Sequence, residues 1–187
     1  MRIGVAGWLV FLVALTAGAA EVAGVKIDDQ ARVGNADLVL NGAGVRKRLF
    51  FEVYAMGLYV PQKSSNAAAL LDQPGPKRVA IHMLRNVSAD AFNEALAEGI
   101  RANHSEAEAS TLEPRLKELA AIMAEAKEAK KGMSIHLDWT GAGTQVVIQG
   151  QPAGKPIAGQ DFYRALLRVW LGDRPVQDDL KRALLGG

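Results

Sequence analysis

Strands joined mostly by tight turns, helices confined to long excursions, and no regular strand–helix alternation predict an α+β domain: one antiparallel sheet with helices packed on one face. Two segments carry most of that prediction. Met133 to Thr140 and Thr144 to Gln149 alternate apolar and polar residues around Gly141-Ala142-Gly143, which reads as a hairpin. Phe162, Leu166, Val169 and Trp170 line one side of a helical segment whose other side holds Arg164 and Arg168.

The remaining elements follow in order. Val22 to Ile27 and Ala36 to Leu40 read as short strands on either side of a polar stretch, and Asn41-Gly42-Ala43-Gly44 as a turn. Arg46 to Val60 holds the densest β signal, in Phe50, Phe51, Val53, Tyr54, Tyr59 and Val60, and reads as one long central strand ended by Pro61. Ala67 to Leu71 is a short helix, Pro74-Gly75-Pro76 a loop and Arg78 to Leu84 a strand. Ser88 caps a helix in which Phe92, Leu96, Gly99, Ile100 and Asn103 share a face. A second helix begins near Thr111, with Pro114 in its first turn and Leu112, Leu116, Leu119 and Met123 at helical spacing. Lys127, Lys130 and Lys131 suit its C-terminal end, and Gly132 stops it. Gly172 ends the helix through Trp170. Asp173-Arg174-Pro175 then starts a closing helix with Val176, Leu180 and Leu184.

Composition narrows the function classes. The chain has 187 residues, 22 Lys+Arg against 20 Asp+Glu, and no cysteine. Near-neutral charge leaves no footprint for nucleic acid. Without cysteine there is no disulfide, thiolate metal site, cysteine nucleophile or lipid-modified cysteine anchor. Met1-Arg2, an uncharged run from Ile3 to Leu15 and small residues through Ala20 have the layout of a signal peptide over residues 1–20. As a helix, that run rises only about 20 Å, short of the ~30 Å hydrocarbon core. The expected product is an exported domain over residues 21–187, periplasmic and without a stable membrane anchor.

Motifs for catalysis come close and miss. Gly42-Ala43-Gly44 has Lys47 where a dinucleotide fingerprint needs its third glycine. Gly132-Met133-Ser134-Ile135 continues to His136 where a nucleophile elbow needs glycine. His82, His104 and His136 form no metal-binding spacing. No catalytic residue, metal or cofactor is predicted. One polar constellation remains: Arg46, Arg48, Phe50, Glu52, Tyr54, Met56 and Leu58 share parity, so on a single extended strand they share a face. A guanidinium fork and a phenolic O–H among apolar side chains suit a carboxylate or an enolate on a greasy molecule. A surface ion pair of Arg48 with Glu52, beside a tyrosine that reaches water, is the plainer alternative.

Leu40 to Val60 (LNGAGVRKRLFFEVYAMGLYV), Arg78 to His104 and Phe162 to Gly186, with its WLGDRPV turn, resemble the chalcone isomerase-like family, and its exported bacterial branch above all. The resemblance implies an open-faced β-sandwich, a large antiparallel sheet with a helical layer on one face and a ligand cleft between. It also implies that Arg46, in GAGVR, faces the ligand. Where true isomerases carry a threonine, this chain has Tyr54, as the fatty-acid-binding members do. Where isomerases carry a tyrosine that helps polarise the substrate ketone, it has Phe92, which can pack on an acyl chain but donates no hydrogen bond.

The function expected on this basis is periplasmic binding of a fatty acid or another lipophilic carboxylate, without catalysis, by Arg46, Tyr54 and Phe92. Two alternatives stand beside it: a non-enzymatic scaffold that meets a protein partner, and a chalcone isomerase-type intramolecular lyase.

Overall fold

The computed structural model describes residues 19–187. The expected signal peptide lies outside them except for Ala19 and Ala20, which open the first strand. Strands β1 (Ala19–Val22) and β2 (Val25–Asp28) form their own hairpin where the sequence predicts a single strand, because Ala23 and Gly24, at φ of 50° and 75°, reverse the chain. There follow β3 (Gln30–Val33), β4 (Ala36–Arg48), β5 (Phe51–Val60), α1 (Ala67–Asp72), β6 (Lys77–Met83), β7 (Val87–Ser88), α2 (Ala89–Ala102) and α3 (Glu106–Glu125). The chain closes with β8 (Glu128–Ala129), β9 (Ser134–Trp139), β10 (Thr144–Ile148), β11 (Gln151–Ile157), α4 (Gln160–Leu171) and α5 (Asp178–Leu184). Seven strands make one antiparallel sheet in the order β11-β10-β9-β6-β5-β4-β3.

Alternation assigns the two faces. Tyr54, Met56, Leu58 and Val60 of β5, Val79, Ile81 and Met83 of β6, and Ile135, Leu137 and Trp139 of β9 point to the helical layer and form the main core with it. The helices contribute Phe92, Leu96 and Ile100 from α2, Leu112, Leu116, Leu119 and Met123 from α3, and Phe162, Leu166 and Trp170 from α4. On the opposite face a smaller cluster of Ile27, Val33, Leu38, Leu40, Ala55 and Tyr59 seats the β1–β2 hairpin, and the Tyr59 hydroxyl donates to Asp28 O at 2.8 Å. That face is therefore partly covered rather than fully open.

The segment Asn41 to Gly44 is not a turn. β4 runs straight through it, and its glycines serve a distant partner: a Cβ on Gly42 would sit 2.1 Å from Ala183 O, and one on Gly44 2.8 Å from Ala183 Cβ. They let α5 lie directly on the strand. The chain reverses instead at Leu49-Phe50, with Leu49 at φ 56°, so the expected single strand Arg46 to Val60 is the end of β4 paired with β5.

Three other boundaries move for identifiable reasons. Helix α3 starts one and a half turns before Thr111, because Ser105 and Glu108 form a capping box: Ser105 Oγ accepts from Glu108 N at 3.3 Å and Glu108 Oε2 accepts from Ser105 N at 2.9 Å. Pro114 consequently lies inside the helix. The helix also ends at Glu125, so Lys130 and Lys131 fall in the loop after β8 and not on its last turn. Helix α5 begins at Asp178 behind an N-cap at Gln177, not at the Asp173-Arg174-Pro175 turn. Strand β11, missed in the sequence, holds Pro152 and Pro156 at the sheet edge, where an absent N–H is tolerated.

Candidate functional site

Arg46 and Tyr54 are directly opposed residues of β4 and β5. Directly paired residues of an antiparallel ladder project to the same side, and Tyr54 belongs to the core beneath the helices, so both belong to the helical face. The route differs from the one the sequence suggests, since they share a face through register across a hairpin and not through parity along one strand. Arg48 is exposed near the hairpin tip and does not pair with Glu52; the carboxylate of Glu52 lies instead 3.8 Å from Lys47 Nζ.

Tyr54 is 8% exposed. Its hydroxyl accepts a hydrogen bond from Trp170 Nε1 at 2.9 Å and, among the described residues, donates none. Burial pushes its pKa up, opposed by the Trp170 hydrogen bond and by the positive charge of Arg46. The phenol is therefore a neutral donor at physiological pH, with its proton unassigned.

Arg46 is half-buried under the start of α5. Its Nη1 donates to the carbonyl of Lys47 and, at 3.4 Å, to Gln177 Oε1; Nε and Nη2 have no partner among the described residues. Gln177 also accepts from Lys47 N at 2.7 Å and donates from Nε2 to Val45 O at 3.3 Å. This residue had no signal in the sequence, because it reaches Arg46 only through the seating of α5 on Gly42 and Gly44. The same seating is fastened at the other end of α5 by Asn41, whose Nδ2 donates to Leu184 O at 2.7 Å.

Phe92 stands on the buried face of α2, 6% exposed and within the main core. The space between sheet and helices is thus filled by side chains in this structure. Grooves lie farther out: one between α2 and α3 lined by Asn93, Ala97, Arg101, Leu116 and Ala120, another between α3 and α4 lined by His104, Glu108, Thr111, Arg164 and Arg168. Arg46, Tyr54 and Phe92 line neither.

The sheet's other face carries a second polar group. Arg78 and Asp138, partners across β6 and β9, form a two-pronged ion pair with N–O distances of 2.7 and 2.6 Å. His82 and His136 stand beside it with ring centroids 6.3 Å apart. Burial, and then the Arg78 charge, lower His136 to about 4, so this face holds neutral imidazoles at neutral pH.

No curated protein sequence matches the chain. In fold it is similar to a fatty-acid binding protein from Arabidopsis thaliana, at 16% identity and a TM-score of 0.68, over 90% of this chain and 96% of that one. The sequence model described as chalcone isomerase-like matches residues 19–186, all but one of those described. With the antiparallel sheet, the helical layer on one face and that match in hand, the chain belongs to the chalcone isomerase-like family.

Proposed function

We propose that this protein binds a fatty acid or a similar lipophilic carboxylate without transforming it, as a periplasmic protein released by cleavage of its first 20 residues. One observation carries the reading: a buried Tyr54 hydroxyl with an unassigned proton faces the same layer as an Arg46 guanidinium whose Nε and Nη2 are free among the described residues. Both can donate to a further acceptor, and neither can act as a base. A carboxylate supplies two oxygens to a guanidinium fork and a further lone pair to a phenol. The tail would run into the apolar layer beside Phe92, which requires the helices to yield, since core side chains occupy that space.

The likeness in fold to a fatty-acid binding protein supports the same class of ligand. Against catalysis stands Phe92, at the position where the isomerases of the family carry a tyrosine donor. A missing proton donor typically costs a catalyst 10²–10⁴-fold and costs a passive lipid site nothing.

A charge-assisted contact to a buried carboxylate is worth about 1.5–3 kcal/mol, or roughly 10- to 150-fold in Kd. Titration of a long-chain fatty acid, followed by the intrinsic fluorescence of Trp139 and Trp170, the latter beside Tyr54, should therefore show Arg46→Ala weaker by that factor with its thermal melt retained. Equal binding by wild type and Arg46→Ala would refute the clamp. The filled layer favours a second reading, a scaffold that uses its surface. Absence of fatty-acid binding by wild type, together with unfolding of Arg46→Ala, would put that reading first.

A further inference from the structure

The hairpin between β4 and β5 ends in side chains that the fold does not use. Leu49 is 84% exposed, Phe50 97% and Phe51 56%. They are the large apolar residues left in solvent among those described. Turn chemistry does not call for them either. A two-residue hairpin turn with positive φ at its first central residue favours glycine there, and Leu49 takes φ 56°, a conformation that a bulky side chain adopts at a cost. Apolar residues at this tip oppose both solubility and local geometry, so they point to something outside the chain.

Around the tip stands a collar of cations. Lys47 and Arg48 precede it on β4, and the Arg85 guanidinium lies 4.6 Å from the centre of the Phe51 ring. The Arg85 loop is tied to the hairpin by Leu84 N donating to Val53 O at 3.0 Å. Lys130 and Lys131 join the same end of the sheet, since Lys131 N donates to Asn86 Oδ1 at 2.9 Å and Gly132 N to Met83 O at 2.8 Å. All five cations are exposed; the hairpin's acid, Glu52, engages Lys47.

We infer that this end of the molecule docks on an anionic lipid bilayer, with Leu49, Phe50 and Phe51 inserted among the headgroups and Lys47, Arg48, Arg85, Lys130 and Lys131 set on lipid phosphates. The shape and the charge choose this occupant. A narrow convex point with an apolar tip enters a fluid interface readily, whereas a protein partner would have to supply a matching hole. Leu and aromatic side chains partition into the interfacial region, and each cation held near an anionic surface strengthens attachment about fivefold. The inference stands without the fatty-acid reading, and it adds a route to it, because Arg46 lies three residues from the tip and near the surface from which a lipophilic acid would come.

The test is flotation of the full chain, processed as its host processes it, with vesicles of phosphatidylcholine alone or mixed with phosphatidylglycerol. Wild type should float with the mixed vesicles and hardly with the neutral ones. Phe50→Ser should lose about tenfold or more in partitioning, the lower end of what burying a phenylalanine contributes, with an unchanged melt. Paired charge reversal, Lys130→Glu with Lys131→Glu, should lose more than tenfold and should do so only on the anionic vesicles. Wild type failing to float, floating equally on both vesicle types, or Phe50→Ser floating as well as wild type would each overturn the inference. So would a dimer in sedimentation that Phe50→Ser abolishes without any flotation of wild type, which would make the tip an interface between copies. Fatty-acid titration of Phe50→Ser from solution separates the two readings, because a free tip variant that still binds the acid leaves the clamp intact.

Discussion

Replacing Tyr54 by Phe separates what the hydroxyl does for the fold from what it does for a ligand. The ring stays and packing is preserved, so the change deletes one oxygen, the acceptor for Trp170 Nε1 at 2.9 Å. Trp170 is 1% exposed, and water does not take over as its partner without opening the core. A buried donor left unpaired costs about 1–3 kcal/mol. For a domain of this size each kcal/mol moves Tm by roughly 2–4 °C, so Tyr54→Phe should melt about 2–12 °C below wild type. A double-mutant cycle with Trp170→Phe isolates the bond: the pair should show coupling of about 1–3 kcal/mol, because the second substitution removes the orphan the first created. In fatty-acid titration the same variant should lose about 0.5–1.5 kcal/mol, or about two- to twelvefold in Kd, for one neutral donor. A Tyr54→Phe melt equal to wild type with zero coupling would show that the hydroxyl is not engaged by Trp170, and the picture of a phenol held with its proton free for a ligand would fall.

Other consequences can be measured on stability alone. Gly42→Ala places a Cβ 2.1 Å from the backbone oxygen of Ala183, which cannot swing aside, so α5 must lift and the melt should reveal a loss of about 1–3 kcal/mol or more. Ser105→Ala should cost about 1 kcal/mol in denaturant unfolding while Thr111→Ala stays within about 0.5 kcal/mol, since the capping box and not the threonine starts α3. His136, lowered from 6.5 to about 4 by burial and its cationic neighbours, takes up its proton more readily unfolded than folded. Its contribution is therefore intact above pH 6.5 and is lost as pH falls from there to about 4, a loss of about 2–3 kcal/mol after allowance for partial exposure. His82 acts in the same direction and the raised Asp138 carboxyl in the opposite one. The difference in melting between wild type and His136→Gln should accordingly shrink or reverse between pH 7 and pH 4, and a difference independent of pH would contradict the assignment.

The elements legible in the sequence were those fixed by neighbours along the chain. Alternation over Met133 to Gln149 gave β9, β10 and their faces, and Ser88 with Phe92, Leu96 and Ile100 gave α2 with its cap. The misread segments answer to distant partners. Asn41 to Gly44 has turn composition, yet its glycines are there for Ala183 and Leu184, more than 130 residues on. Leu49-Phe50 is the true reversal and carries no turn signal, and the external role proposed for it accounts for that composition. At the site, Arg46 and Tyr54 emerged together because an eight-residue separation gives equal parity on a strand and equal facing across this hairpin. Trp170 and Gln177 complete their surroundings from the far end of the chain, where spacing says only that one helix face is apolar and another helix begins.

The central claim is that Arg46 and Tyr54 recognise a carboxylate and that the apolar layer alone does not account for binding. Calorimetric titration of wild type with a long-chain fatty acid and with the fatty alcohol of the same length tests it most directly, because the two share a tail and differ only in the group offered to the guanidinium. The acid should bind about 10- to 150-fold more tightly than the alcohol, and that gap should close in Arg46→Ala. Equal affinity of wild type for acid and alcohol would contradict the account.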